Sequence, residues 1–207
     1  NDTISGGNDD DTLYGEDGND ILTGDLGSDR VYGGAGDDKV YGGAGGDSLY
    51  GGAGNDELYG QDGNDTLNAD AGNDILDGGS GADKVKYMDA PSGVTLDLSL
   101  NSAPSDGFGF SDTLLNLENV TGSNFDDVLT GNAQANIIEG LKGSDVMVGL
   151  AGADTLTGDW NGLRPAWHKA GFALDLGYID NNGFNEIYEK LDEVGRMVYG
   201  LIEHLRK

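Results

Sequence analysis

Aspartate recurs at Asp2, Asp11, Asp20, Asp29, Asp38, Asp47, Asp56, Asp65, Asp74 and Asp83, every ninth residue without a slip. A carboxylate repeated at a fixed interval binds hard cations and repels its own copies when they are stacked. Two residues after each Asp stands an aliphatic: Ile4, Leu13, Leu22, Val31, Val40, Leu49, Leu58, Leu67, Leu76 and Val85. Ahead of each Asp runs glycine-rich sequence such as Gly33-Gly34-Ala35-Gly36-Asp37-Asp38, so the unit reads G-G-x-G-x-D-x-U-x, with U a large aliphatic. A second frame holds Asp127, Asn136, Asp145 and Asp154, with Leu129, Ile138, Met147 and Leu156 two residues later. Ten equivalent carboxylates describe a lattice rather than the one acid and one nucleophile of a glycosidase. The chain has no H-E-x-x-H, G-x-S-x-G or P-loop and no EF-hand loop, so no catalytic residue is assigned, and His168 and His204 read as surface residues.

The nine-residue period dictates the elements that must carry these carboxylates. Two nonapeptides form one coil of a parallel β-roll: a glycine turn, a three-residue strand with its aliphatic inward, then a second turn and strand along the opposite face. The fold class is all-β, a calcium-bound solenoid. Coils stack at the spacing of neighbouring strands, about 4.8 Å. One edge then carries Asp2, Asp20, Asp38, Asp56 and Asp74, and the other Asp11, Asp29, Asp47, Asp65 and Asp83. Carboxylates that close repel by roughly 1 to 3 kcal/mol per gap, and the sum approaches the whole stability of a domain. A Ca²⁺ ion in each gap reverses the sign, because it accepts about six to eight carboxylate and carbonyl oxygens; Mg²⁺ demands a tighter octahedron. About eight to ten ions are expected on this reading.

Glycine supplies the carbonyl ligands by allowing positive φ and leaving no Cβ in the way. The candidate positions are Gly15, Gly24, Gly33, Gly42, Gly51, Gly60 and Gly78 at the first place of the repeat. Gly34, Gly43, Gly52 and Gly79 stand at the second, and Gly18, Gly27, Gly36, Gly45, Gly54 and Gly63 at the fourth. Asn136, an amide in a carboxylate column, marks a weaker site. Asp9 in place of a turn glycine, Ala69 in place of a first glycine and Gly46 ahead of Asp47 are further weak points.

These residues resemble the RTX, or hemolysin-type, calcium-binding nonapeptide repeats over residues 1–86 and again from 122. The resemblance implies calcium binding, type I secretion of an unfolded chain, folding outside the cell and an extracellular location. Any catalytic passenger of such a protein lies outside this sequence, and a start within a repeat at Asn1 reads as a fragment.

The composition agrees. The chain has 207 residues, 38 acidic against 11 basic, a net charge of −27, 38 glycines and no cysteine. Such a charge disfavours nucleic acid and anionic membranes, and the missing thiols exclude disulfides and thiolate metal sites. No apolar run reaches about 18 residues, so membrane insertion is not expected. Leu, Ile, Val and Phe make up about 22 %, barely above the range in which charged chains stay disordered.

Between the two repeat blocks, residues 87–121 read as a β-rich insert continuing the stack, with two or three longer strands and a projecting loop from Pro104 to Phe110. The second block spans 122–159. Tyr14, Tyr32, Tyr41, Tyr50 and Tyr59 form outward ladders that serve packing. Beyond residue 159 the repeat stops, and residues 160–207 read as a helical tail. Phe184, Ile187, Leu191, Val194, Val198, Leu201 and Leu205 form a heptad seam that either caps the roll or pairs with a second copy. Leu176–Ile179 and Val194–Ile202 resemble the last helix pair of four-helix-bundle proteins encoded in ribosomal RNA intervening sequences. Two functions stay open: a calcium-dependent folding and secretion module, or a rigid segment of a large adhesin.

Overall fold

A computed structural model describes residues 1–158. The helical tail, its capping or dimerising seam and its resemblance to intervening-sequence bundles lie outside the described residues. In the first block each nonapeptide contributes one strand: β1 Thr3–Asn8, β2 Thr12–Asp17, β3 Ile21–Leu26, β4 Arg30–Ala35, β5 Lys39–Ala44, β6 Ser48–Ala53, β7 Glu57–Asp62, β8 Thr66–Ala71, β9 Ile75–Ser80 and β10 Lys84–Lys86. Strands two apart pair in parallel with a register of eighteen residues, as in Val31↔Leu49 and Val40↔Leu58. Odd strands build one sheet and even strands the other.

Strands β1 to β9 run six residues, not the three expected, because the turn itself joins the ladder: Gly34 pairs with Gly52 and Ala35 with Ala53. Turns that share a positive φ at the second place, such as Glu16, Gly34 and Gly52, can pair this way, and a strict repeat provides them. Three-residue strands return in the second block, β15 Val128–Thr130, β16 Ile137–Glu139, β17 Val146–Val148 and β18 Thr155–Thr157.

The core is a single file of aliphatics between the two sheets. Leu22, Val31, Val40, Leu49, Leu58, Leu67, Leu76 and Val85 are completely buried, whereas Ile4, Leu13 and Leu156, at the two ends of the described stack, are only partly covered. One apolar side chain per nine residues is a thin core, so burial alone is a weak stabiliser of each coil. Outside, Tyr14, Tyr32 and Tyr50 stack at 5.0 and 4.5 Å on one face, and Tyr41 stacks on Tyr59 at 5.1 Å on the other.

The insert corrects three expectations. Its strands are short: β11 Thr95–Asp97, β12 Ser102–Ser105, β13 Asp112–Leu115 and β14 Asn119–Thr121. They are not all parallel, since β12 runs antiparallel to both β11 and β13. Strand β11 ends at Asp97, whose side chain caps a 3-10 turn at Leu98–Leu100 by accepting the Ser99 and Leu100 N–H groups. The loop does not project, because Asp106 is fully buried and its Oδ1 accepts the N–H groups of Phe108, Gly109 and Phe110, folding the segment down.

Among the described residues the first sheet has ten strands, in the order β1-β3-β5-β7-β9-β13-β12-β11-β15-β17, and the second has eight. Both sheets are continuous through the insert. On the first sheet β12 and β11 separate β13 from β15, while β14 and β16 are neighbours on the second. Two extra strands at about 4.8 Å each put the faces roughly 10 Å out of step. Tyr87, Ala90, Val94, Leu96, Leu98, Ala103 and Leu117 form the wider core there.

Candidate metal centre

The repeat aspartates sit at the turn ends of their strands; Asp20, Asp29, Asp38, Asp47, Asp56, Asp65, Asp74 and Asp83 are at most 2 % exposed, whereas Asp11 is half-buried and Asp2, at the open end, is exposed. Their two oxygens have separate partners. Oδ1 accepts the backbone N–H of the aspartate one coil earlier: Asp20 donates to Asp38, Asp29 to Asp47, Asp38 to Asp56, Asp47 to Asp65 and Asp56 to Asp74, each at 2.8 Å. Asp11 donates to Asp29 likewise, and Asp2 to Asp20. Oδ2 of every buried member, Asp20 through Asp83, has no hydrogen-bond partner in the protein. A buried carboxylate oxygen without a donor is expensive, so each is a position that a cation would stabilise.

What faces Oδ2 is set by the first glycine. A methyl group on Gly33 would lie 2.6 Å from Asp38 Oδ2 and 2.6 Å from the Gly51 carbonyl oxygen of the next coil. A side chain there would clash with both, so only glycine lets the carboxylate and carbonyl oxygens come this close, and these are the two kinds of oxygen that Ca²⁺ takes. Gly6, Gly15, Gly24, Gly42 and Gly60 face the equivalent pair formed by the next aspartate Oδ2 and the carbonyl of Gly24, Gly33, Gly42, Gly60 and Gly78. The expectation of positive φ at the first glycine is corrected: Gly15, Gly24, Gly33, Gly42, Gly60 and Gly78 have ordinary backbone angles and are needed for space. Positive φ belongs to the second and fourth places. Gly34, Gly43, Gly52 and Gly79 lie between 98° and 120°, and Gly18, Gly27, Gly36, Gly45, Gly54 and Gly63 between 129° and 154°. The second place accepts Glu16, Asp25, Gln61 and Asp70 near 70–78°. At the fourth, Asp9 is forced to 130°, a region L-residues avoid.

Among the described residues no three His, Cys, Asp or Glu side chains converge, so a cation here must take backbone carbonyls beside the carboxylates. The second block is less open. Asp127 accepts from Val94 N–H and the Ser123 hydroxyl on Oδ1 and from Ser123 N–H on Oδ2, and Asn136 is bonded to Asn132 and the Glu118 carbonyl. Asp145 and Asp154 keep the Oδ1 pattern through Asp127 and Asn136 N–H, and Asp154 Oδ2 is again buried without a partner.

Burial governs the acidity. It pushes Asp56 up to about 7, Asp65 up to about 6 and Asp74 up to about 8, against the opposing donated N–H and with help from neighbouring carboxylates. Asp38, Asp47, Asp83, Asp127 and Asp145 are raised by burial as well. A cation beside these groups would favour their ionised form.

The model of the RTX calcium-binding nonapeptide repeat matches four times, at residues 1–31, 23–58, 50–85 and 121–159, more than half of the chain. The chain belongs to the RTX calcium-binding nonapeptide repeat family. No curated protein matches it. RTX repeats bind Ca²⁺, and the paired carboxylate and carbonyl oxygens described above suit that hard cation. Among the described residues no helix is long and apolar enough to cross a membrane.

Reading by nine-residue phase missed three acids. Asp112 Oδ1 accepts Asp74 N–H at 3.0 Å and Glu118 Oε2 accepts Asp83 N–H at 2.9 Å, so both extend the columns into the insert. An acid two residues before an aliphatic, Asp112 before Leu114 and Glu118 before Val120, is the signal that finds them. Asp112 is pushed up to about 6, chiefly by burial, and receives the Tyr87 hydroxyl at 2.8 Å. The third, Asp106, has no such signature.

Proposed function

We propose that this chain is a calcium-dependent folding module of an exported bacterial protein, disordered where calcium is scarce and ordered where it is plentiful. The observation that carries this reading is the repeated pairing of a buried, partnerless Asp Oδ2 with a glycine carbonyl of the next coil. Residues 1–86 supply most of the ligands, 122–159 the remainder, and 87–121 join them. About eight to ten ions, each shared between coils, would neutralise the two columns. Because no cage exists in the unfolded chain, binding and folding are one event. Extracellular calcium modules operate at roughly 10⁻⁴ to 10⁻³ M, far above cytosolic levels, so an acidic chain stays threadable inside a type I exporter and rolls up outside.

The continuity of both sheets through the insert favours a second use of the same module, as a rigid spacer within a large adhesin. Circular dichroism during a calcium titration tests the folding reading. A cooperative gain of β structure with a midpoint in the range above supports it; full β structure in excess chelator would contradict it.

A further inference from the structure

The seam between the first repeat block and the insert carries an arrangement that no nonapeptide motif describes. Asp83 is completely buried; its Oδ1 accepts the Asp65 N–H at 2.8 Å and its Oδ2 has no partner. A methyl group on Gly78 would lie 2.7 Å from that Oδ2 and would meet the carbonyl oxygen of Asn116. Gly60 faces the same pair one coil earlier, Asp65 Oδ2 and the Gly78 carbonyl. Asn116 thus stands where the preceding coils of this column have a first glycine, Gly60 and Gly78, although it lies outside all four matched segments.

Two features hold this substitute in place. Asn116 adopts a left-handed φ of 49°, and its side-chain amide donates to Asp77 Oδ1 at 2.7 Å. Glu118 then occupies the place of the next column acid, its Oε2 accepting Asp83 N–H at 2.9 Å. The turn from Asn116 to Glu118 has three residues where Gly78 to Asp83 has six, and the longer glutamate side chain restores the reach. The Glu118 carbonyl in turn accepts the Asn136 side-chain amide at 2.7 Å, tying the seam to the second block.

We propose that the insert completes a Ca²⁺ site of its own, formed by Asp83 Oδ2, the Asn116 carbonyl and the Glu118 carboxylate. On the first column Asp112 takes the corresponding place, accepting Asp74 N–H, but its Oδ2 is already occupied by the Tyr87 hydroxyl. The inference rests on the calcium reading above and fails separately from it.

Calcium stoichiometry by titration calorimetry on the full chain, with Glu118→Gln and Asp47→Asn, is the test. The Glu118→Gln substitution keeps an acceptor for Asp83 N–H but removes the charge. One ion fewer, or one site weakened at least tenfold, is expected for Glu118→Gln, with the remaining ions retained. If Asp47→Asn loses an ion and Glu118→Gln binds like the unaltered chain, the seam site is overturned while the calcium reading stands; if the unaltered chain binds no calcium, both fall. Should Glu118→Gln fail to fold, crystals of the unaltered chain grown in calcium decide by anomalous scattering. A peak between Asp83 and Asn116 is expected, and its absence beside filled sites at Asp38 and Asp47 overturns the proposal.

Discussion

A repeat aspartate has two oxygens with opposite demands. Oδ1 is satisfied by a backbone N–H in the folded chain, and Oδ2 is satisfied only by a cation. Replacing Asp56 by Asn should therefore act with opposite signs in two conditions. With calcium bound, Asp56→Asn is expected to lose roughly 1–3 kcal/mol through a missing ligand; in chelator it should favour the compact state, because a buried charge has gone. Urea unfolding in each condition checks the sign. Acidity makes a related prediction. Asp56, Asp65 and Asp74 are raised to about 7, 6 and 8 in the folded chain, above an ordinary 3.8. The metal-free fold binds more protons than the unfolded chain across that window, so its stability is fully present below about pH 4 and is lost as pH rises through 6 to 8. In excess chelator any compact form should therefore be populated only toward low pH, and circular dichroism from pH 4 to 8 without calcium checks it; β structure that grows as pH rises would contradict it. The columns were legible because Asp recurs without a slip; the division of labour between Oδ1 and Oδ2 was not, since it depends on which backbone N–H the neighbouring coil presents.

Turns are the elements that close the roll, and each is fastened in two directions. While the column aspartate accepts from the coil before, the residue ahead of it accepts from the coil after: Asn55 N–H donates to Asp37 Oδ1 at 2.8 Å and Asn73 N–H to Asn55 Oδ1 at 3.0 Å. On the other edge Ser28 donates to Asp10 and Ala82 to Asn64, but Gly46, between them in the stack, has no side chain to accept with. Its φ is ordinary, and a Cβ would touch only the Asn64 carbonyl oxygen at 3.4 Å. Gly46→Asn should supply an acceptor for Asn64 N–H and stabilise the calcium-loaded form by about 1 kcal/mol. A rise in the calcium-loaded melting temperature is the readout; no change or a fall counts against this account of the turn. The absent Asx at Gly46 was visible in the sequence. The reason it matters was not, because the ladder joins residues eighteen apart. The insert was the least legible element: Asp112 and Glu118 break phase, and Asp106 folds its loop inward through three local N–H bonds that no periodicity announces.

At the scale of the molecule, most of the net charge of −27 is carried by the two-sheet roll and its thin aliphatic file. Screening by monovalent salt acts on exposed charge and reaches buried carboxylates poorly. About 1 M NaCl without calcium should consequently leave the chain unfolded by circular dichroism, whereas a simple solvated acidic surface would respond to the salt. The stack of coils and its inward aliphatics followed from the period alone. The mismatch of ten strands against eight among the described residues comes from β11 and the antiparallel β12, which a parallel roll gave no reason to expect. Amide hydrogen exchange across residues 1–86, in excess chelator and in millimolar calcium, tests the coupling of metal to fold most directly. Slow exchange of the Asp20, Asp38, Asp56 and Asp74 amides only when calcium is present is the expected result; equal protection in both conditions would contradict it.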